Sequence, residues 1–398
     1  MRIAIFWEDI LHYHVARIRA LCRAGEQQGT EVHAFALRGA SPQLPVTGYQ
    51  HLLSDRITVL STGSPGDGME SPASKAQLLA ALDRVDPDAV AIIGYRSRVS
   101  RGAVAWCRHR RRGAVLMMES SWQDFARAWW REIPKRWLVH CYDSGFGGGT
   151  LHADYLVRLG MPRACVFTGY DVVDNGFWRA RAAAAHASAT MLRAEAGLPE
   201  RFFLTACRLV PKKNVQGLLA AHARYRQEAG GRAWGLVIAG TGPLEGQVRA
   251  AVRRLNLEAD VRLVGYQDAE SMGQLYGLAA AFVLASTREQ WGLVVNEAMA
   301  AGLPVLVSRR CGCAPDLVTE GVTGFTFDPN DANALARLLT RVSDGEVDVA
   351  AMGRAGAERV RRFSPEVFAE NLLAAAEAGI ARAARRPRWP YPSPGIWP

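Results

Sequence analysis

No run of about 20 apolar residues occurs in the 398 residues, so the sequence offers no conventional membrane-spanning helix. Cysteine is sparse and scattered. The seven cysteines form no C-x-x-C pair, and the nearest two, Cys311 and Cys313, have no cluster of histidines beside them. Zinc and disulfide-framework readings are therefore poor, and small buried thiols in a reducing cytosol fit better. Neither half carries a G-x-G-x-x-G fingerprint, and no internal repeat is visible beyond two similar folds in tandem. Acidic residues are outnumbered, 38 against 48 basic ones, which leaves a formal charge of +10. Much of the excess is arginine, with a run at Arg108-His109-Arg110-Arg111-Arg112. Such a face suits anionic lipid, nucleic acid or phosphorylated substrates, and the plain alternative is a solvated helix end. We expect no nucleic-acid partner and leave peripheral membrane contact open. The amino end enters an apolar strand at once, so no signal peptide is apparent and a cytoplasmic protein is expected.

What is present is ordinary for a soluble globular chain: 49% hydrophobic and 22% charged residues. Its length favours two domains. In the first half, strands are expected at 2–7, 31–37, 55–60, 89–93 and 114–118. A helix with Val15, Ile18, Leu21 and Cys22 on one face follows the first strand, and others are expected at 75–83, 99–112 and 150–159. Residues 61–74, rich in Gly, Ser and Pro, read as a loop, and 139–143 and 163–167 read as two more strands. A new series of strands starts at 202–207 and continues at 234–239, 261–263, 281–284 and 305–307, with helices at 214–229, 244–255, 268–279 and 292–301 between them. Helices at 331–343 and 347–362 come next, and Ser364-Pro365 caps a last helix reaching about 384. Alternating strands and helices predict an α/β fold with doubly wound parallel sheets. The expected domains are 1–180 and 198–363, with the break between 175 and 198 and a Pro-rich tail at 385–398.

One stretch organises the rest: Arg288 to Val307. Glu289 sits in the loop at the carboxyl end of an apolar strand, and Glu297 lies within the first turns of a helix that Gly292 begins. In open α/β sheets ligands bind beyond the strands' carboxyl ends. Carboxylates accept hydrogen bonds from vicinal hydroxyls, and a helix amino end favours phosphate. Sugar, ribose and phosphate together describe a sugar nucleotide. The plain alternative is two solvated glutamates on a surface helix. Asp86-Pro87-Asp88 is formally a D-x-D, but it precedes its strand, on the wrong side for a metal at a ligand site, and no metal is expected.

This E-x7-E segment resembles that of retaining GT-B glycosyltransferases of family 4, glycosyl transferases group 1. Three further pieces agree, in the family's order: Cys207 to Asn214, Ile238 to Leu244 and Gly321 to Phe325. The likeness is clear over about 200 to 384 and weaker over 1 to 180. It implies two Rossmann-like domains facing each other across a cleft, with the last helix, 364–384, returning to the first domain. It also implies a nucleoside-diphosphate sugar as donor substrate, UDP-linked first and GDP-mannose second, with no cofactor. Closure is expected about hinges near 175–198 and 364.

By that resemblance Arg208 and Lys213 hold the diphosphate, with Asn214 read as the cap of the next helix. Fixed cations there stabilise the charge on the leaving group, which makes a metal unnecessary. Glu289 reaches the donor sugar and Glu297 the ribose. Backbone N–H groups of Trp291, Gly292, Leu293 and Val294 face the diphosphate and sugar, and Trp291 either reshapes the sugar pocket or fills space. Gly240 and Gly242 form a tight turn lining the site, and Tyr266 helps to frame the base. In the first domain the family's Gly-Gly loop is missing. Glu8, Asp9, His12 and His14 stand there as acceptor contacts, with capping or packing as the other reading for His14. Glu119 stands where many members have histidine, and is read as a base or hydroxyl ligand for the acceptor; Trp122 is read as a ring platform. The reaction implied is sugar transfer with retention, by a front-side route through an oxocarbenium-like state. A sugar-nucleotide epimerase, a glycogen-type phosphorylase or a non-catalytic binder of anionic glycans are the alternatives. The phosphorylase lacks its expected length and lysine-bound cofactor.

Overall fold

The computed structural model describes residues 1–38, 57–60, 68–125 and 129–386. The chain divides into two compact units, Met1–Val172 with Pro365–Pro398, and Val173–Ser364. The change of unit thus precedes the helix Asn175–Ala187, which belongs to the second unit, rather than falling within 175–198.

The first unit holds a sheet of β1 (Arg2–Trp7), β2 (Glu31–Ala36), β3 (Ile57–Val59), β4 (Ala89–Ile93), β5 (Gly113–Met118), β6 (Ser144–Gly147) and β7 (Val166–Thr168). The second holds β8 (Phe202–Ala206), β9 (Gly235–Ala239), β10 (Val261–Gly265), β11 (Ala281–Leu284), β12 (Val305–Ser308) and β13 (Gly324–Phe327). Their orders are β3-β2-β1-β4-β5-β6-β7 and β10-β9-β8-β11-β12-β13, and all pairings are parallel. Both units are therefore Rossmann-like, as expected, and two such sheets in one chain are the content of the GT-B fold class. In each sheet the winding reverses at one place, between β1 and β4 and between β8 and β11. That reversal opens a crevice beyond the strands' carboxyl ends. Arg208 follows β8 and Glu289 follows β11, so the second reversal point is where the organising stretch falls.

The central strands are apolar and buried on both faces, as helices covering both sides require. The last helix, Pro365–Ala384, packs on β5, β6, β7 and the helix His12–Gln27. It approaches so closely that a Cβ on Gly113 would meet the Ile380 backbone nitrogen at 2.8 Å. Ser144 donates to the Ala375 carbonyl (2.7 Å), and Arg386 pairs with Asp143. No helix among the described residues is long and apolar enough to cross a membrane.

Several expectations need correcting. The strand expected at 139–143 lies at Ser144–Gly147, because Val139 ends the helix Trp129–Val139. The strand at 163–167 starts with a single 3-10 turn, Arg163–Cys165. The loop expected to reach Ser74 ends at Ser71, whose side chain caps Ser74 N–H (3.3 Å) with Pro72 first in the helix; residues 61–67 lie outside the described residues. Asn214 has a left-handed backbone (φ 53°), and its side-chain amide donates to the Pro329 carbonyl (2.8 Å) instead of capping the helix. The tail beyond Arg386 lies outside the described residues.

The arginine run is largely spent on structure. Arg108 donates to the Cys141 carbonyl, Arg110 pairs with Asp83, and Arg111 donates to the Ala384 and Arg386 carbonyls. Arg112 bridges Asp86 (2.6 Å) and Asp88 (3.0 Å), so both carboxylates of the D-x-D are engaged there.

Candidate functional site

The second unit's site is built on the loops after β8, β9 and β11. A Cβ on Gly240 would lie 2.0 Å from the Cys207 carbonyl, and one on Gly242 would lie 2.5 Å from that of Leu209. Gly240 also has φ +124°, which side-chain-bearing residues rarely adopt. The glycines thus let the β9 turn pack directly on the segment carrying Arg208. Leu209 N–H donates to the Thr241 carbonyl (2.9 Å), and Leu244 N–H donates back to Leu209 (3.1 Å), which fixes that segment. Tyr266, following Gly265 at the end of β10, is 41% exposed.

Arg208 is exposed and makes no side-chain hydrogen bond or ion pair among the described residues. An arginine held on a pinned loop with its fork unused is poised for an anion. Lys213 instead pairs with Glu289, which also accepts from the Ser286 hydroxyl (3.2 Å). Both partners are mostly buried, with side chains 15% and 12% exposed. The loops that bear them are tied as well, since Thr287 N–H donates to the Lys212 carbonyl (2.8 Å). An ammonium has three donors, so Lys213 can keep Glu289 and still turn an N–H to a ligand.

Gly292, with φ +106°, turns the chain into the helix Leu293–Ala300. The N–H groups of a first helical turn, here Leu293 and Val294, have no acceptor within the helix. The Trp291 side chain faces the core at 2% exposure, where its ring N–H donates to Asn296 (2.8 Å) beside Phe363. That corrects the sugar-pocket reading of its side chain: it fills space. Glu297 is 5% exposed, and the Tyr276 hydroxyl donates to its Oε2 (2.8 Å). Burial, and then the Glu297 carboxylate, pushes the Tyr276 phenol well above its ordinary range, so it stays a donor. Ser286 and Tyr276 were not anticipated, and only their position beside the two glutamates marks them.

The first unit's rim is different. Asp9 is held by both nitrogens of an Arg38 fork (2.9 and 3.0 Å), and Glu8 accepts from Arg38 (3.1 Å) and from Met69 N–H (3.3 Å). Acceptor contact by either must therefore compete with an existing pair. His14 is buried, stacks on Trp7 (4.7 Å), and accepts the Leu11 N–H at Nδ1 (3.1 Å). Burial, then the Arg17 guanidinium and the neighbouring His12, holds it well below its ordinary value of 6.5. His14 is thus a neutral cap, which corrects its reading as an acceptor contact. His12 is half-buried with its ring edge-on to Tyr13 (5.2 Å). Trp122 is half-buried beneath the Arg158 guanidinium (3.4 Å) and packs on Tyr155.

Glu119, at the end of β5, is hydrogen-bonded to Asp171, which follows β7. Asp171 is fully buried. Burial first, then Glu119, pushes its carboxyl well above the usual carboxylate range, while Arg17 pulls it down from 3.8 Å away. Arg17 is itself buried, donates to the Val172 carbonyl, and lies over the Tyr13 and Tyr170 rings (4.7 and 4.9 Å). Gly148 completes this packing, since a Cβ there would strike Asp171 Oδ2 at 2.2 Å. Asp171, Arg17 and Tyr170 were missed, and no local motif announces them. Among the described residues no group of three His, Cys, Asp or Glu is arranged to hold a metal ion.

Comparison with known proteins agrees with this layout. Residues 192–359 match the family model for glycosyl transferases group 1. The amylovoran biosynthesis glycosyltransferase AmsK of Erwinia amylovora is 36% identical over 152 residues, 37% of each chain. The glycogen synthase of Mycobacterium tuberculosis is 32% identical over 274 residues, 69% of this chain and 62% of that one. The chain thus spans less than two thirds of the length of either relative. The crystal structure of Anabaena HepE in complex with UDP shares the fold, with a TM-score of 0.70 at 17% identity over 95% of this chain and 100% of that one.

Proposed function

We propose that this chain, whose residues 192–359 belong to glycosyl transferases group 1, moves a sugar from a nucleoside diphosphate to a hydroxyl-bearing acceptor, with retention at the anomeric carbon. The observation that carries this reading is the unused guanidinium of Arg208 on the same β8 loop as Lys213, which pairs with Glu289, all at the reversal point of the second sheet. As the glycosidic C–O bond breaks, negative charge grows on the diphosphate. Arg208 forks onto it, Lys213 adds a point charge, and the Leu293 and Val294 N–H groups supply dipoles. That much fixed positive charge makes a metal ion unnecessary. Glu289, kept in place by Lys213 and Ser286, accepts from the sugar's hydroxyls. Glu297, oriented by Tyr276, accepts from the ribose. In keeping with the family resemblance, the leaving phosphate takes the acceptor's proton on the same face. Glu119, braced by Asp171, binds an acceptor hydroxyl. The donor is a UDP-sugar in the first instance, with GDP-mannose second; the acceptor is a saccharide or small natural product.

The test is incubation with a panel of sugar nucleotides, with and without candidate acceptors. Free nucleoside diphosphate that appears only with acceptor, and an axial-to-axial or equatorial-to-equatorial product by NMR, support retaining transfer. An isomerised donor without acceptor would replace it with an epimerase of the same fold.

A further inference from the structure

Five of the ten large hydrophobic side chains exposed among the described residues lie between 125 and 137: Phe125, Trp129, Trp130, Ile133 and Trp137. The last four belong to the helix Trp129–Val139 and are 76%, 55%, 55% and 60% exposed. At about 100° per residue, these four fall within an arc of roughly 100°. The helix is not loose. Its inner face is docked through Val139 and Glu132, and Glu132 accepts from Lys135 (2.6 Å) and from the Tyr155 hydroxyl (2.6 Å). Its usual polarity is thus inverted, with the carboxylate inside and the tryptophans outside. A face of this composition on a soluble chain marks an interaction surface.

The charges beside it identify the partner. Glu132 is the helix's sole carboxylate and it points inward, so the charge facing out is positive: Arg131, over the Trp130 ring (4.8 Å), and exposed Arg136. Arg158 adds a third cation on the neighbouring helix, over Trp122. Indole and guanidinium both have an apolar body and a polar edge, which suits the headgroup level of a bilayer better than a dry protein interface. We infer that the Trp129–Val139 face docks this protein on an anionic lipid surface, with the tryptophans in the interfacial layer and Arg131, Arg136 and Arg158 against lipid phosphates. This replaces the Arg108–Arg112 run as the lipid-facing feature, since those side chains are largely committed within the unit. The inference does not depend on the proposed reaction.

Co-sedimentation of the full chain with vesicles of phosphatidylcholine, alone or mixed with phosphatidylglycerol, tests it without any sugar nucleotide. Binding is expected to the mixed vesicles, and to weaken at high salt. The variant Trp129→Ser/Trp130→Ser/Trp137→Ser should bind on the order of a hundredfold less tightly, while its melting temperature stays close to wild type. Arg131→Gln/Arg136→Gln should lose about fivefold per arginine and with it most of the lipid selectivity. Wild-type protein that ignores the mixed vesicles, or a triple variant that binds them equally well, overturns the inference. So does a wild-type dimer that the triple variant turns into a monomer, since the face would then be a protein interface.

Discussion

The two sheets share a strand order around their reversal points, but their rims are furnished differently. At the second rim the cations are split between two states. Arg208 is exposed and uncommitted, while Lys213 is already balanced by Glu289. At the first rim the charged groups are committed to one another: Arg38 to Asp9 and Glu8, and Arg17 to Asp171 and the Val172 carbonyl. A rim with spare donors can take a polyanion with little rearrangement. A rim whose charges are paired must share an existing pair, such as Glu119 with Asp171, when it binds polar groups. The proposed reading accordingly puts the donor on the second unit and the acceptor on the first, and this division can be tested from both sides.

The largest effect is expected from Arg208→Ala, which should lower turnover about 10²–10³-fold by removing a preorganised donor from the leaving group. Steady-state kinetics would check this, with unchanged far-UV dichroism as the folding control. Glu119→Gln should sharpen the contrast by raising the acceptor KM about tenfold, the worth of one hydrogen bond to a charged group, and leaving the donor KM alone. An equal rise in donor KM would erase the division. Tyr276→Phe should cost about 1 kcal/mol of stability in denaturant titration, because it removes one hydrogen bond to buried Glu297.

The smallest effect concerns pH. The Asp171 carboxyl titrates above its ordinary value of 3.8 in the folded state. Its contribution is therefore fully present below that value and is lost as pH rises through the folded one. Asp171→Asn should accordingly be stabilised relative to wild type more near pH 8 than near pH 4. A gain that is the same at both would place the proton elsewhere.

The same contrast governs how much the sequence revealed. The second unit was legible because its site residues lie within short segments at strand ends, where residue type and element order speak together. The first unit was less so. β6 reads Ser-Gly-Phe-Gly, with none of the β-branched residues that announce a strand, because side chains press on its glycines. A Cβ on Gly145 would meet Met161 Sδ at 2.7 Å, and one on Gly147 would meet the His152 Cβ at 2.8 Å. β13 hid for a like reason: a Cβ on Gly324 would strike the Val305 carbonyl at 2.0 Å. Asp171 pairs with Glu119 across the end of the one intervening strand, β6, a contact that only the assembled sheet creates. Trp291 and His14 misled because residue type suggested ligand contact where packing had claimed the side chain.

The most direct measurement is calorimetric titration of UDP into wild type, Arg208→Ala and Glu119→Gln. Saturable binding by wild type and Glu119→Gln, lost or greatly weakened in Arg208→Ala, is the result expected if the second rim alone grips the diphosphate. Undiminished binding by Arg208→Ala, with loss in Glu119→Gln, would contradict it.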